Sequence, residues 1–160
     1  SLSLVKAEGL SGFSDFALGT QYCKVVTNGN DDGIGSLRFA IAQCSNPEDY
    51  IYIAEFIDSI FLVSDTIILD KNLSIFHSGN EKVVIQTTSS SPVFKTNPGV
   101  LITLNNIEIH SGGVASSKAL LNNGNTILWN VDIINSIPGE IPVMNTGILE
   151  ISETVQIKNQ

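Results

Sequence analysis

Arginine is almost missing from this sequence. Arg38 is the only one in 160 residues, and eight basic side chains stand against 16 acidic ones, for a formal net charge of −8. Bidentate clamping of phosphate or carboxylate groups is therefore close to excluded. Nucleic acid and anionic membranes are excluded as main partners too, because both demand clustered basic residues. Two cysteines, Cys23 and Cys44, and two widely separated histidines, His77 and His110, are present without any Cys-x-x-Cys, so no zinc pattern exists. Long apolar runs are lacking as well. The longest, from Tyr50 to Val63, is interrupted by Glu55 and Asp58, and nothing spans a bilayer. There is neither an initiator Met nor a charged-then-apolar leader, from which a removed or upstream signal sequence is expected. With 42% hydrophobic residues the chain can still supply one real core.

Three zones follow one another. Residues 1–20 are rich in small side chains and read as a linker or the tail of a preceding module. Residues 21–49 form a cap of strand, loop and helix. Tyr22 to Val26 has strand composition, and Asn28-Gly29-Asn30-Asp31-Asp32-Gly33 is a loop of residues that tolerate positive φ. Ser36 is a natural N-cap for a short helix, since Leu37, Ala40, Ile41 and Cys44 fall at i, i+3, i+4 and i+7. Residues 50–160 alternate short strands with turns.

Internal repetition decides the architecture of this third zone. Leu73-Ser74-Ile75, Ile107-Glu108-Ile109, Val131-Asp132-Ile133 and Val155-Gln156-Ile157 share one apolar–polar–apolar pattern, at intervals of 34, 24 and 24 residues. Asparagine precedes the first three (Asn72, Asn106, Asn130) and Thr154 the fourth. Val93-Phe94, Leu120-Leu121 and Val143-Met144 form a second series ahead of turns at Pro98-Gly99, Asn123-Gly124 and Thr146-Gly147. A hairpin sandwich also produces short strands and Gly turns, but it needs no fixed phase. A parallel solenoid does, because equivalent residues lie above one another at roughly 4.8 Å. The expectation is an all-β parallel β-helix with a short N-terminal capping helix. The long first interval is assigned to an enlarged turn at Thr87–Ser91.

The segment Asn30-Asp31-Asp32-Gly33-Ile34-Gly35-Ser36-Leu37-Arg38-Phe39-Ala40-Ile41 resembles the D-x-G-x-G-S-L-R-x-A-I cap that opens right-handed parallel β-helices of bacterial surface and secreted proteins, the GSLR/CSLREA-type, pectin-lyase-like chains, which implies a right-handed β-helix here. Asp65 to Ile75 is similar to that family's first coil, "T-I-x-L-x-K-N-L-T-I". Phe13-Ser14-Asp15-Phe16-Ala17-Leu18-Gly19 resembles an inter-module ending of large surface proteins. The resemblance implies an adhesin-like chain exported to the cell surface or outside, often by the type IX route, with coils continuing past Gln160. It implies contacts with glycans or other surface ligands, and with secretion or anchoring machinery. The other readings are the N-terminal part of a polysaccharide lyase or hydrolase, and a module recognised by that machinery.

Each chemical candidate has a plainer structural reading. Asn28-x-Asn30-x-Asp32-Gly33 mimics the start of a calcium loop, but Phe39 stands where the bidentate Glu belongs, so an Asx-rich turn is expected and no cofactor. Glu108 and Asp132 occupy equivalent coil positions and could pair as glycosidase acids. On a solvated face they need a cation or opposed rotamers to coexist. His77 and His110 each stand alone near a turn, without a Ser or Cys partner. Asn72, Asn106 and Asn130 read as a stack of amides. Trp129 is expected to fill the coil, and Arg38 to hydrogen-bond within the cap. Cys23 and Cys44 bracket the cap, and a disulfide closing that 21-residue interval is worth roughly 3 kcal/mol. Export favours that bond over two buried thiols. No catalytic, cofactor or metal residue is assigned.

Overall fold

The computed structural model describes residues 22–45, 49–152 and 154–159, with the side chains of residues 22–24 left out. The readings placed on residues 1–20 lie outside the described residues.

The chain winds into a parallel β-solenoid of about five coils. Strand β1 (Tyr22–Val26) and helix α1 (Leu37–Gln43) precede them. Coil 1 holds β2 (Asp49–Ile53), β3 (Ser59–Leu62) and β4 (Ile67–Leu69), and coil 2 holds β5 (Leu73–His77), β6 (Val83–Thr87) and β7 (Phe94–Thr96). In coil 3 the first two strands merge into β8 (Leu101–His110), followed by β9 (Leu120–Asn122). Coil 4 repeats this with β10 (Asn125–Asn135) and β11 (Val143–Asn145), and coil 5 has β12 (Ile148–Ile151) and β13 (Gln156–Asn159). The ladders between coils are all parallel. One sheet runs β1-β2-β5-β8-β10-β12, with β3, β6 and β13 in its second half, and the other runs β4-β7-β9-β11.

Alternation along each strand sends every second residue inward, where equivalent positions stack. Ile51, Ile75, Leu104 and Leu128 make one buried row, and Ile60, Ile85, Ile109 and Ile133 another. Ile67, Phe94 and Leu120 form a third on the opposite sheet. Coil 5 continues these rows with Ile151 and Ile157, but they stay 54% and 45% exposed because no described coil covers them.

The register corrects one expectation. Ile107-Glu108-Ile109 stacks on Val131-Asp132-Ile133 as the repeat demands, but beneath it lies Val83-Val84-Ile85, a 24-residue step (107 − 83 = 24). Leu73-Ser74-Ile75 instead lies under Ile102-Thr103-Leu104, 29 residues on (102 − 73 = 29). The five surplus residues sit in the connection 78–82 between β5 and β6, not at Thr87–Ser91. Coil 1 has a similar connection one residue shorter, since Ile53 pairs with His77 and Ser59 with Val84 (59 − 53 = 6 against 84 − 77 = 7). The apolar–polar–apolar pattern fits both halves of the sheet equally well, so it could not tell them apart. The second series also shifts by one in its first member, since Phe94 and not Val93 matches Leu120.

In coils 3 and 4 one residue makes this bend in place of the connection, and coil 5 gains one residue there (156 − 151 = 5 against 132 − 128 = 4). Asn106, Asn130 and Thr154 take it with φ of 58°, 53° and 67°. Asparagine tolerates the left-handed region, whereas a β-branched threonine is unusual there.

The inward rows should carry most of the stability. Ile109→Ala is expected to cost about 2–5 kcal/mol and Ile157→Ala, half exposed, about 1 kcal/mol or less. Urea midpoints measured at constant m-value check the difference.

Candidate functional site

The cap holds a densely bonded polar cluster. Ser36 accepts the Phe39 N–H at 3.1 Å and starts α1, whose Leu37, Ala40 and Ile41 are buried as the spacing predicts. Two glycines with positive φ, Gly33 and Gly35, turn the chain into that N-cap. Arg38 donates through Nε and Nη2 to Asp31 Oδ1 at 3.2 and 2.8 Å, and to the carbonyl oxygens of Asp65 and Thr66 in coil 1 at 2.6 and 3.3 Å. Asp31 Oδ2 accepts the N–H groups of Val63 and Ser64, at 3.1 and 2.7 Å, and the Ser64 hydroxyl. Burial alone would raise the Asp31 pKa, but the Ser64 hydroxyl, Arg38 and the Ser64 N–H outweigh it and hold the carboxyl at about 2, below 3.8. Lys71 Nζ closes the other helix end on the carbonyl oxygens of Ile41 and Cys44, at 3.1 and 2.6 Å. Sequence reasoning placed Arg38 here but missed Asp31 as its partner and Lys71 as the second clasp.

Cys44, the C-cap residue, is disulfide-bonded, and no free cysteine occurs among the described residues. The side chain of Cys23, the partner that the sequence offers, lies outside the described residues. In the calcium-like loop Asn28 Oδ1 accepts the Asn30 N–H, Asp32 Oδ1 accepts the Gly33 N–H, and Asp31 serves Arg38.

The asparagine series divides. Asn130 Nδ2 donates to Asn106 Oδ1 at 2.9 Å, and Asn106 Nδ2 donates to the carbonyl oxygens of His77, Gly79 and Glu81, at 3.2, 2.7 and 3.3 Å. This amide therefore tethers the connection 78–82. Asn72 is not in that stack, because its coil makes the bend elsewhere; its Oδ1 accepts the Leu101 N–H at 2.8 Å. A second polar stack, unforeseen, links Thr96, Asn122 and Asn145, with Asn122 Nδ2 reaching Asn145 Oδ1 at 2.8 Å.

Glu108 and Asp132 are register partners on the outer face. Lys82, the last residue of the connection 78–82, lies 2.8 Å from Asp132, and His110 hydrogen-bonds Glu108. Counter-charge on Asp132 is thus supplied by the chain itself, and His110 does not stand alone. Around them Asn80, Glu81, Lys82, Asn106, Glu108, Asn130 and Asp132 line an open groove of about 350 Å³. Buried His77 donates from Nδ1 to the Glu81 carbonyl at 3.0 Å, and its Nε2 has no hydrogen-bond partner among the described residues.

Trp129 reverses its expectation: it points outward and is 58% exposed. Its coil-to-coil row is Tyr52, Phe76, Asn105 and Trp129, with Tyr52 and Phe76 packed edge to face at a centroid distance of 5.3 Å. The neighbouring outward row carries exposed Tyr50, then Ser74, Thr103 and Ile127. Tyr50, Asn72, Leu73, Ser74, Leu101 and Thr103 enclose a shallow cleft of about 190 Å³. Aromatic faces beside hydroxyls and amides can stack on and hydrogen-bond a sugar. Strand phase could not mark this face, because alternation from inward Leu128 turns Trp129 outward, alternation from inward Val131 turns it inward, and left-handed Asn130 breaks the phase between them.

No family model, curated protein or solved structure matches this chain.

Two measurements test the polar anchors. Asn106→Gly keeps the backbone freedom but deletes the amide, at an expected cost of about 1–3 kcal/mol. Asn106→Ala adds about 1–2 kcal/mol for holding a Cβ-bearing residue left-handed; chemical denaturation separates the two. Because the folded Asp31 pKa is depressed, its stabilisation is complete above the unfolded value and is lost as pH falls through about 2. The unfolding free-energy gap between wild type and Asp31→Asn should narrow by about 2 kcal/mol from pH 5 down to pH 2 and below.

Proposed function

We propose that this chain is a non-catalytic structural or adhesive module of a large bacterial surface or secreted protein, acting outside the cell and contacting glycans. The observation that carries the reading is the outward row that ends in exposed Trp129, together with the neighbouring row whose exposed Tyr50 lines a cleft of hydroxyl and amide groups. An apolar ring of this size left in solvent next to hydrogen-bonding groups fits a sugar face better than a packing role. The GSLR-like cap segment and the coil that follows it support placement among exported, adhesin-like β-helix proteins. The same resemblance supports passage through a secretion route such as type IX and engagement with anchoring machinery.

The non-catalytic reading is supported by how the candidate acids are used. Asp132 is paired with Lys82 and Glu108 with His110, while Arg38 is held by Asp31. Membership in a polysaccharide lyase or hydrolase is the competing reading. Calorimetric titration with a panel of oligosaccharides, followed by analysis of the same samples for reducing and unsaturated ends, tests both. Binding without new ends is expected, and Trp129→Ala should weaken it about tenfold without changing thermal stability. Release of such ends by this chain would overturn the non-catalytic reading.

A further inference from the structure

We infer that the ligand of the outer face is an uncharged glycan strand lying along the solenoid axis across coils 1 to 4, with uronate-containing chains disfavoured; this rests on the glycan-contacting reading above. Direction comes first. The two exposed aromatics of these two outward rows, Tyr50 at 50% and Trp129 at 58%, belong to coils 1 and 4. Three coil steps separate them, roughly 14 Å at the usual strand spacing. A chain laid along the axis reaches both rings, whereas one laid along a strand meets only one coil. Between them the same two rows present Ser74, Thr103 and Asn105, two hydroxyls and an amide suited to sugar hydroxyls. The 190 Å³ cleft beside Tyr50 adds the Asn72 amide.

Charge decides the class. On one flank of the aromatic row lies the groove containing Glu81, Glu108 and Asp132 against the single cation Lys82. Glu150 extends the Tyr50 row into coil 5, in register with Ile127. Among the described side chains, the two basic groups near coil 1 that could answer a ligand carboxylate, Arg38 and Lys71, are held in the cap. A uronate would therefore meet like charge within a Debye length of about 8 Å and find no arginine fork. An uncharged pyranose chain incurs no such penalty.

The test is calorimetric titration with neutral hexasaccharides (cello-, xylo- and manno-) and with hexagalacturonate, at low salt and at physiological salt. At least one neutral hexasaccharide should bind tenfold or more tightly than hexagalacturonate, the gap narrowing as salt rises. Its disaccharide, too short to reach both rings, should bind at least tenfold more weakly. Tyr50→Ala and Trp129→Ala should each weaken the neutral ligand with unchanged melting curves, and Glu108→Gln should raise affinity for hexagalacturonate alone. Equal or tighter binding of hexagalacturonate overturns the charge inference and leaves the glycan reading standing. A disaccharide as good as the hexasaccharide overturns the axial placement. Failure of every oligosaccharide to bind overturns the glycan reading itself.

Discussion

Parallel stacking of one coil on the next, in strict register, is the constraint on which the rest of this structure depends. Each backbone ladder places identical strand positions above one another, so a single aliphatic choice at an inward position becomes a continuous buried row. The same register makes polar choices cumulative. Asn106 above the connection 78–82 and Asn130 above Asn106 satisfy one another and the bent backbone. A slip of one residue would turn every inward isoleucine to solvent and break both amide stacks.

Stacking also creates a problem at each end, because the first and last coils expose core and strand edge. At the N-terminal end the chain answers with α1. Its apolar face covers the core, while Arg38 and Lys71 tie both helix ends to the coils through carbonyl oxygens distant in sequence. Asp31 turns the arginine into a fixed strut between loop and coil 1. The sole arginine is thereby structural, which removes the residue best suited to grasp an anionic ligand. At the other end Ile151 and Ile157 remain half exposed, and their strands gain the support of one neighbour only.

Outer positions escape the packing constraint and are free to carry function. Where register brings two carboxylates together, at Glu108 and Asp132, neighbouring strand and connection residues offset the repulsion. Where it brings Tyr52 and Phe76 together they pack edge to face, and their row, interrupted by Asn105, ends in exposed Trp129. The proposed glycan surface and its preference against acidic sugars both follow from these outward rows, not from a deep pocket.

The solenoid class was legible in the sequence because a 24-residue period with fixed phase is a local, countable signal, and so was α1, through Ser36 and its i, i+3, i+4, i+7 face. The two-half identity of the coil was not legible: Leu73-Ser74-Ile75 and Val83-Val84-Ile85 have similar alternation, and only hydrogen-bond register assigns the five extra residues to 78–82. Nor could spacing reveal which acid meets Arg38, that Lys82 reaches Asp132, or that Trp129 faces water. Sequence alone thus determined periodicity, the capping helix and the scarcity of positive charge, since these depend on neighbours along the chain. Tertiary structure decided the exposed face and the polar partners across coils, because contacts such as Arg38 to Asp65, Asn130 to Asn106 and Lys82 to Asp132 join residues two dozen or more apart whose meeting depends on how the coils align.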